Sequence, residues 1–131
     1  MSQPNVTLFV YGTLRRNSSH AHLLGKATWH GECFTKPNMT LLDLGHYPGL
    51  LLEGKTAVIG DLVTIAQTQL PIVDQYEGYP KDYNRSQIQL ANGRCATTYI
   101  YIGSREPSIV VTAGNWEKYV YHRYERAKTS K

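Results

Sequence analysis

The stretch LFVYGTLRR, residues 8–16, decides how the chain is read. Leu8 to Tyr11 is a run of apolar, β-forming residues with the look of a buried strand. It stops at Gly12-Thr13 and turns at once into Arg15-Arg16-Asn17. One reading is only that a strand ends and a loop begins. The other is that Gly12, with no Cβ to clash, lets the backbone bend so that successive N–H groups converge on something negatively charged. The loop has neither the G-x-x-x-x-G-K-[ST] spacing of a phosphate loop nor the G-x-G-x-x-G of a dinucleotide loop, so a carboxylate is a better guess than a nucleotide.

Outward from this strand the pattern is mostly β. Strands are expected at Val6 to Tyr11, Thr28 to Thr35, Met39 to Leu44, Ala57 to Ile65, Asn84 to Leu90 and Cys95 to Ile102. Ile88 and Leu90 alternate on one side of Asn92-Gly93, and Tyr99 and Tyr101 on the other, which suits a hairpin with a type I′ turn. Pro48-Gly49 in HYPGL suits the middle of a second reversal. Short helices are expected at Ser18 to Leu24, capped by Ser18 or Ser19, and at Leu70 to Glu77, where Pro71 fits the first turn. Together these describe a small mixed α+β domain with a strongly curved, barrel-like sheet.

The whole chain is consistent with that scale. Its 131 residues, 41% hydrophobic, suit a single domain spanning 1–131. No apolar run is long enough to span a bilayer, and MSQPNVT lacks the basic start and apolar centre of a signal peptide, so the expectation is a soluble, cytoplasmic protein without membrane partners. Cys33 and Cys95 form neither C-x-x-C nor a Cys/His cluster, and reduced structural thiols with no metal site are expected. Of the net charge of +4, the segment from Asn115 to Lys131 carries +3, so the basicity reads as a solvated tail from about residue 117 rather than a nucleic-acid surface.

The second informative stretch is LPIVDQYEGYPKDYNR, residues 70–85. On a helix, Leu70, Val73 and Glu77 stand at i, i+3 and i+7, which puts Glu77 at the edge of a face expected to carry Ile72, Val73 and Tyr76 inward. Asp74 falls toward the neighbouring edge and Gln75 on the opposite side. Burial disfavours an ionised carboxylate and raises its pKa, the condition for a Glu to exchange protons near neutrality. On periodicity alone the plainer alternative stays open, that Glu77 caps the helix or pairs with Arg85.

With FVYGTLRR, LGHYPGL, VDQYEGYPKDYNR and TAGNWEKY in this order, the chain resembles the γ-glutamylcyclotransferase-like family, which includes γ-glutamylamine cyclotransferases, bacterial relatives and plant avirulence-induced-gene-like proteins. The resemblance implies a small α+β body curled around a pocket. It also implies an intramolecular aminolysis, in which the α-amino group of a γ-glutamyl compound attacks its own γ-carbonyl and yields 5-oxoproline and a free amine. By that resemblance Tyr11, Gly12, Thr13 and Leu14 hold the γ-glutamyl moiety, Glu77 is the general base, and Tyr83 and Arg85 line or brace the pocket. No metal or cofactor is implied. Tyr47-Pro48-Gly49 and Asn115-Trp116 are expected as rim or packing elements, and Asn115 stands where bacterial relatives often carry Asp.

Other constellations point nowhere specific. Ser18-Ser19-His20 is adjacency rather than a triad, His20 and His22 lack a third ligand, and Tyr119, Tyr121 and Tyr124 suit packing or an oligomer contact. The competing reading for the whole molecule is a protein that binds a small acidic metabolite without turning it over. A catalyst needs Glu77 partly buried and facing the Gly12 to Leu14 loop, whereas a binder needs only the amides.

Overall fold

The computed structural model describes residues 4–106 and 108–129; Met1 to Gln3 and Lys131, invoked above, lie outside them, as does the side chain of Lys128. Strand β1 (Asn5–Val10) is the centre of the architecture. It pairs antiparallel with β5 (Ile59–Ala66), from Asn5↔Ala66 to Val10↔Asp61, and parallel with β7 (Cys95–Tyr101) at Leu8↔Thr97. With β2 (Ala27–Phe34) outside β5 and β6 (Tyr83–Gln89) outside β7, the order of the five-stranded sheet is β2-β5-β1-β7-β6. A second sheet, β4-β3-β8, is built from β3 (Met39–Asp43), β4 (Pro48–Thr56) and β8 (Ile109–Val110). The α+β class therefore holds. The curved body is made of two open sheets, and among the described residues neither closes into a barrel.

Both faces of β1 are covered along Leu8 to Val10, which is why that run shows no polar alternation. Leu8 and Val10 join Val63, Ile65, Tyr83 and Tyr99 in a core closed by Leu70 and Val73 of helix α1 (Leu70–Glu77) and by Leu24 of a short 3-10 turn at Ala21–Leu24. Phe9 faces the other way, onto Met39, Leu41 and Leu50 of the small sheet and Trp116 of helix α2 (Trp116–Thr129).

The structure departs from several expectations; among them, the helix expected at Ser18 to Leu24 is only the 3-10 turn, preceded by His20 with no side-chain cap from Ser18 or Ser19. The reversal in HYPGL lies earlier than Pro48-Gly49. Asp43 already pairs with Pro48, Gly45 takes a φ of 108°, and Pro48 opens β4, a position where its missing N–H costs the ladder least. Strand β4 itself was not anticipated. Nor is the Asn92-Gly93 hairpin a type I′ turn: Gly93 has a φ of 87° but Asn92 is not left-handed. Leu90 accepts from Gly93 and donates to Arg94, giving a three-residue loop of a type I turn followed by a left-handed glycine. Finally, the segment expected as a basic tail is α2. Asn115 caps it through its side chain to the Lys118 N–H at 3.1 Å. Trp116 is buried, and Tyr119 and Arg123 both reach Asp43, at 2.6 and 2.9 Å.

Candidate active site

The loop that leaves β1 is shaped by what stands behind it. Arg15 is not turned toward a ligand. Its buried guanidinium contacts Asp61 at 3.2 Å, Glu32 at 2.6 Å and Glu117 at 3.4 Å, while the Arg16 N–H donates to the same Asp61 carboxylate at 2.9 Å. The chain tightens through Arg15 N–H to the Gly12 carbonyl (3.2 Å), and Thr13 accepts from the His20 N–H (2.9 Å). Gly12 is required by closeness rather than by φ, since a Cβ there would sit 2.9 Å from Cγ of Pro48, part of a rigid ring. Gly12, Thr13 and Leu14 line a cavity of about 590 Å³. Among the described residues their backbone N–H groups donate to no protein acceptor.

Helix α1 supplies the opposite wall. It ends at Gly78 in the left-handed region, where Gly78 N–H reaches the Gln75 carbonyl and Tyr79 N–H the Asp74 carbonyl, a closing pattern that suits glycine. The face that enters the core is narrower than expected. Leu70 and Val73 are buried, whereas Ile72 and Tyr76 are exposed, because the eight-residue helix touches the sheet along one row and leaves the next row facing outward. Glu77, at i+7 from Leu70, follows the buried row into the cavity. Burial pushes its carboxyl up to about 7, and no described group hydrogen-bonds or ion-pairs with it.

The alternative pairing of Glu77 with Arg85 does not occur. Arg85 instead sits 3.4 Å from Asp74 and stacks over Tyr79 at 4.3 Å. It does not line the cavity, so any part it plays in the site is as a brace behind α1. Tyr83 does line it, and its hydroxyl donates to the Pro48 carbonyl at 2.7 Å. Tyr11, also on the wall, donates to the Tyr99 carbonyl at 2.6 Å. Burial raises the phenol pKa of Tyr11, Tyr83 and Tyr99, and the charge of nearby Glu77 adds to each shift. Those hydroxyls therefore stay protonated and act as fixed dipoles.

Several lining residues were not anticipated, notably Tyr99, Tyr101, Tyr76 and Asp82. In the sequence Tyr99 and Tyr101 stand out only as the alternating face of a hairpin. Two hydroxyl-bearing rings on one strand face were the available sign of a polar cavity over that face rather than a dry core. Tyr99 donates to Asp74 at 2.5 Å, which ties β7 to α1. Among the described residues no three His, Cys, Asp or Glu side chains are grouped to hold a metal, and no helix is long and apolar enough to cross a membrane. Cys33 and Cys95 are both free, and burial lifts the Cys33 thiol to about 11.

The same fold recurs in known proteins. Residues 8–118 match the family described as gamma-glutamyl cyclotransferase, AIG2-like. A Vibrio cholerae protein provisionally named a gamma-glutamylcyclotransferase is 36% identical over 109 residues, covering 83% of this chain and 93% of its own. The solution structure of YtfP from Escherichia coli superposes with a TM-score of 0.69 at 30% identity, over 85% of this chain and 96% of that one. An AIG2-like protein from mouse superposes with a TM-score of 0.74 at 22% identity, over 86% and 88% of the two chains. With the match running from the β1 strand through the cavity residues to the cap of α2, the chain belongs to the AIG2-like γ-glutamylcyclotransferase family.

Proposed function

We propose that the protein cyclises a γ-glutamyl amine or γ-glutamyl amino acid to 5-oxoproline, with Glu77 as the proton-transfer group. The observation that carries this reading is a carboxylate, poised at about pH 7, that shares one cavity with three loop amides, neither it nor they having a hydrogen-bond partner among the described residues. The amides of Gly12, Thr13 and Leu14 grip the α-carboxylate of the γ-glutamyl group. Glu77 takes a proton from the α-ammonium, whose nitrogen then attacks the γ-carbonyl carbon. The new C–N bond closes the five-membered ring as the original amide C–N bond breaks; Glu77 gives the first proton to the departing nitrogen and then takes the second from the ring nitrogen and passes it on, so that the products are the neutral lactam and an ammonium ion. Ring closure of this kind needs the right rotamer and a proton acceptor within reach, and the hydroxyl-lined wall of Tyr11, Tyr83 and Tyr99 confines the substrate to that geometry. The chemistry calls for no metal or nucleotide.

The test is release of 5-oxoproline from a panel of γ-glutamyl dipeptides and γ-glutamyl-ε-lysine. Wild type is expected to turn over at least one of them, and Glu77→Gln to lose about 10²- to 10⁴-fold in rate while still binding. Binding without turnover in the wild-type protein would overturn the enzyme reading and leave a metabolite-binding protein.

A further inference from the structure

The two walls of the cavity are joined by a contact that the proposed reaction does not use. Thr13 Oγ1 lies 2.5 Å from the hydroxyl of Tyr76, linking the loop that carries the free amides to the helix residue immediately before Glu77. The ring of His20 packs against that of Tyr76, 4.9 Å between centroids. The His20 backbone N–H donates to the Thr13 carbonyl at 2.9 Å. Thr13, Tyr76 and His20 thus close a triangle at the edge of the cavity, and both Thr13 and Tyr76 line it.

We infer that Tyr76 is a positioning residue for the carboxylate grip, acting through Thr13. A hydroxyl offers one proton and two lone pairs, and a phenol is a stronger donor than an aliphatic alcohol. In the favoured direction the Tyr76 O–H donates to Thr13 Oγ1. The single Thr13 proton is then left to point into the cavity, beside the N–H groups of Gly12, Thr13 and Leu14, as a further donor for an anionic group. The contact also ties the loop to α1, so that the grip and the Glu77 carboxylate keep one spacing. The exposed side of Tyr76 carries no core packing, which explains why a tyrosine on the outward row of α1 is not simply a misplaced apolar residue.

This inference rests on the cyclisation reading for its kinetic form, and its test separates the two. In Tyr76→Phe, which keeps the ring against His20 and removes only the hydroxyl, KM for γ-glutamyl-ε-lysine is expected to rise about tenfold with kcat within about twofold, the size of effect one oriented hydrogen bond gives. Thr13→Val should raise KM similarly, and adding Tyr76→Phe to it should cost nothing further. In a Thr13→Ser background, which keeps a hydroxyl, Tyr76→Phe should again cost about tenfold. An unchanged KM in Tyr76→Phe, a loss confined to kcat, or effects of Tyr76→Phe and Thr13→Val that simply multiply would overturn it. If wild type releases no 5-oxoproline, the proposed reaction fails while calorimetry still decides this point: about tenfold weaker binding of γ-glutamyl-ε-lysine to Tyr76→Phe supports the positioning role, and equal binding overturns it.

Discussion

Glu77 combines a cost and a use in one side chain. Its carboxyl has no partner among the described residues, and burial raises it to about 7. Between the ordinary value near 4.5 and about 7, the folded protein holds a proton that the unfolded chain has released, so stability is greatest below that window and falls as pH rises through it. The full excursion is at most about 3 kcal/mol. Glu77→Gln, which cannot ionise, should therefore melt at a higher temperature than wild type at pH 8 and at about the same temperature at pH 4.5, as scanning calorimetry would show. In the wild type, kcat/KM should fall about tenfold per unit below a midpoint near 7, because only the ionised form accepts a proton. The position of Glu77 was legible from spacing, since i+7 from a buried leucine returns to the same row. Its isolation was not, because the choice of Arg85 for Asp74 depends on how β6 passes α1, and no local pattern encodes that crossing.

At the scale of elements, the informative failures share a cause. A helical period says which residues lie on one row, but the width of the buried face is set by what packs against it, so Ile72 and Tyr76 came out exposed. Arg15 read as part of a basic loop because its acidic partners, Glu32, Asp61 and Glu117, are distant in sequence and converge only once β2, β5 and α2 are in place. Removing that arginine leaves the buried Asp61 carboxylate uncompensated, and Arg15→Ala should lower unfolding stability by about 3 kcal/mol or more, measured by urea titration. Glu32→Gln, at an exposed carboxylate, should cost less than about 1 kcal/mol in the same assay. Helix α2 is hard to read from sequence because most of its residues are polar and, among those whose side chains are described, only Trp116 is deeply buried, which resembles a solvated end. Its one local signature is the cap. Asn115→Ala should cost about 1 kcal/mol and Asn115→Asp little, since either side chain offers an oxygen to the Lys118 N–H.

Across the whole molecule, the first informative stretch of sequence also proves to be its middle. The unbroken apolar run at Leu8 to Tyr11 made a doubly covered strand legible, although not which layers cover it. Leu8→Ala and Phe9→Ala should each cost about 2–5 kcal/mol, since both side chains are fully buried. The partners of β1 arrive late: β5 begins at Ile59 and β7 at Cys95. During synthesis the strand emerges before either partner and must wait, apolar on both sides, until Cys95 and the residues after it have followed. Non-local pairing of this kind folds slowly and leaves exposed edges open to wrong partners in the interval. A central position that gives the finished protein its cavity floor therefore leaves the growing chain without a partnered core until late, and fragments of this chain ending before Cys95 should be recovered as aggregates rather than as partial folds.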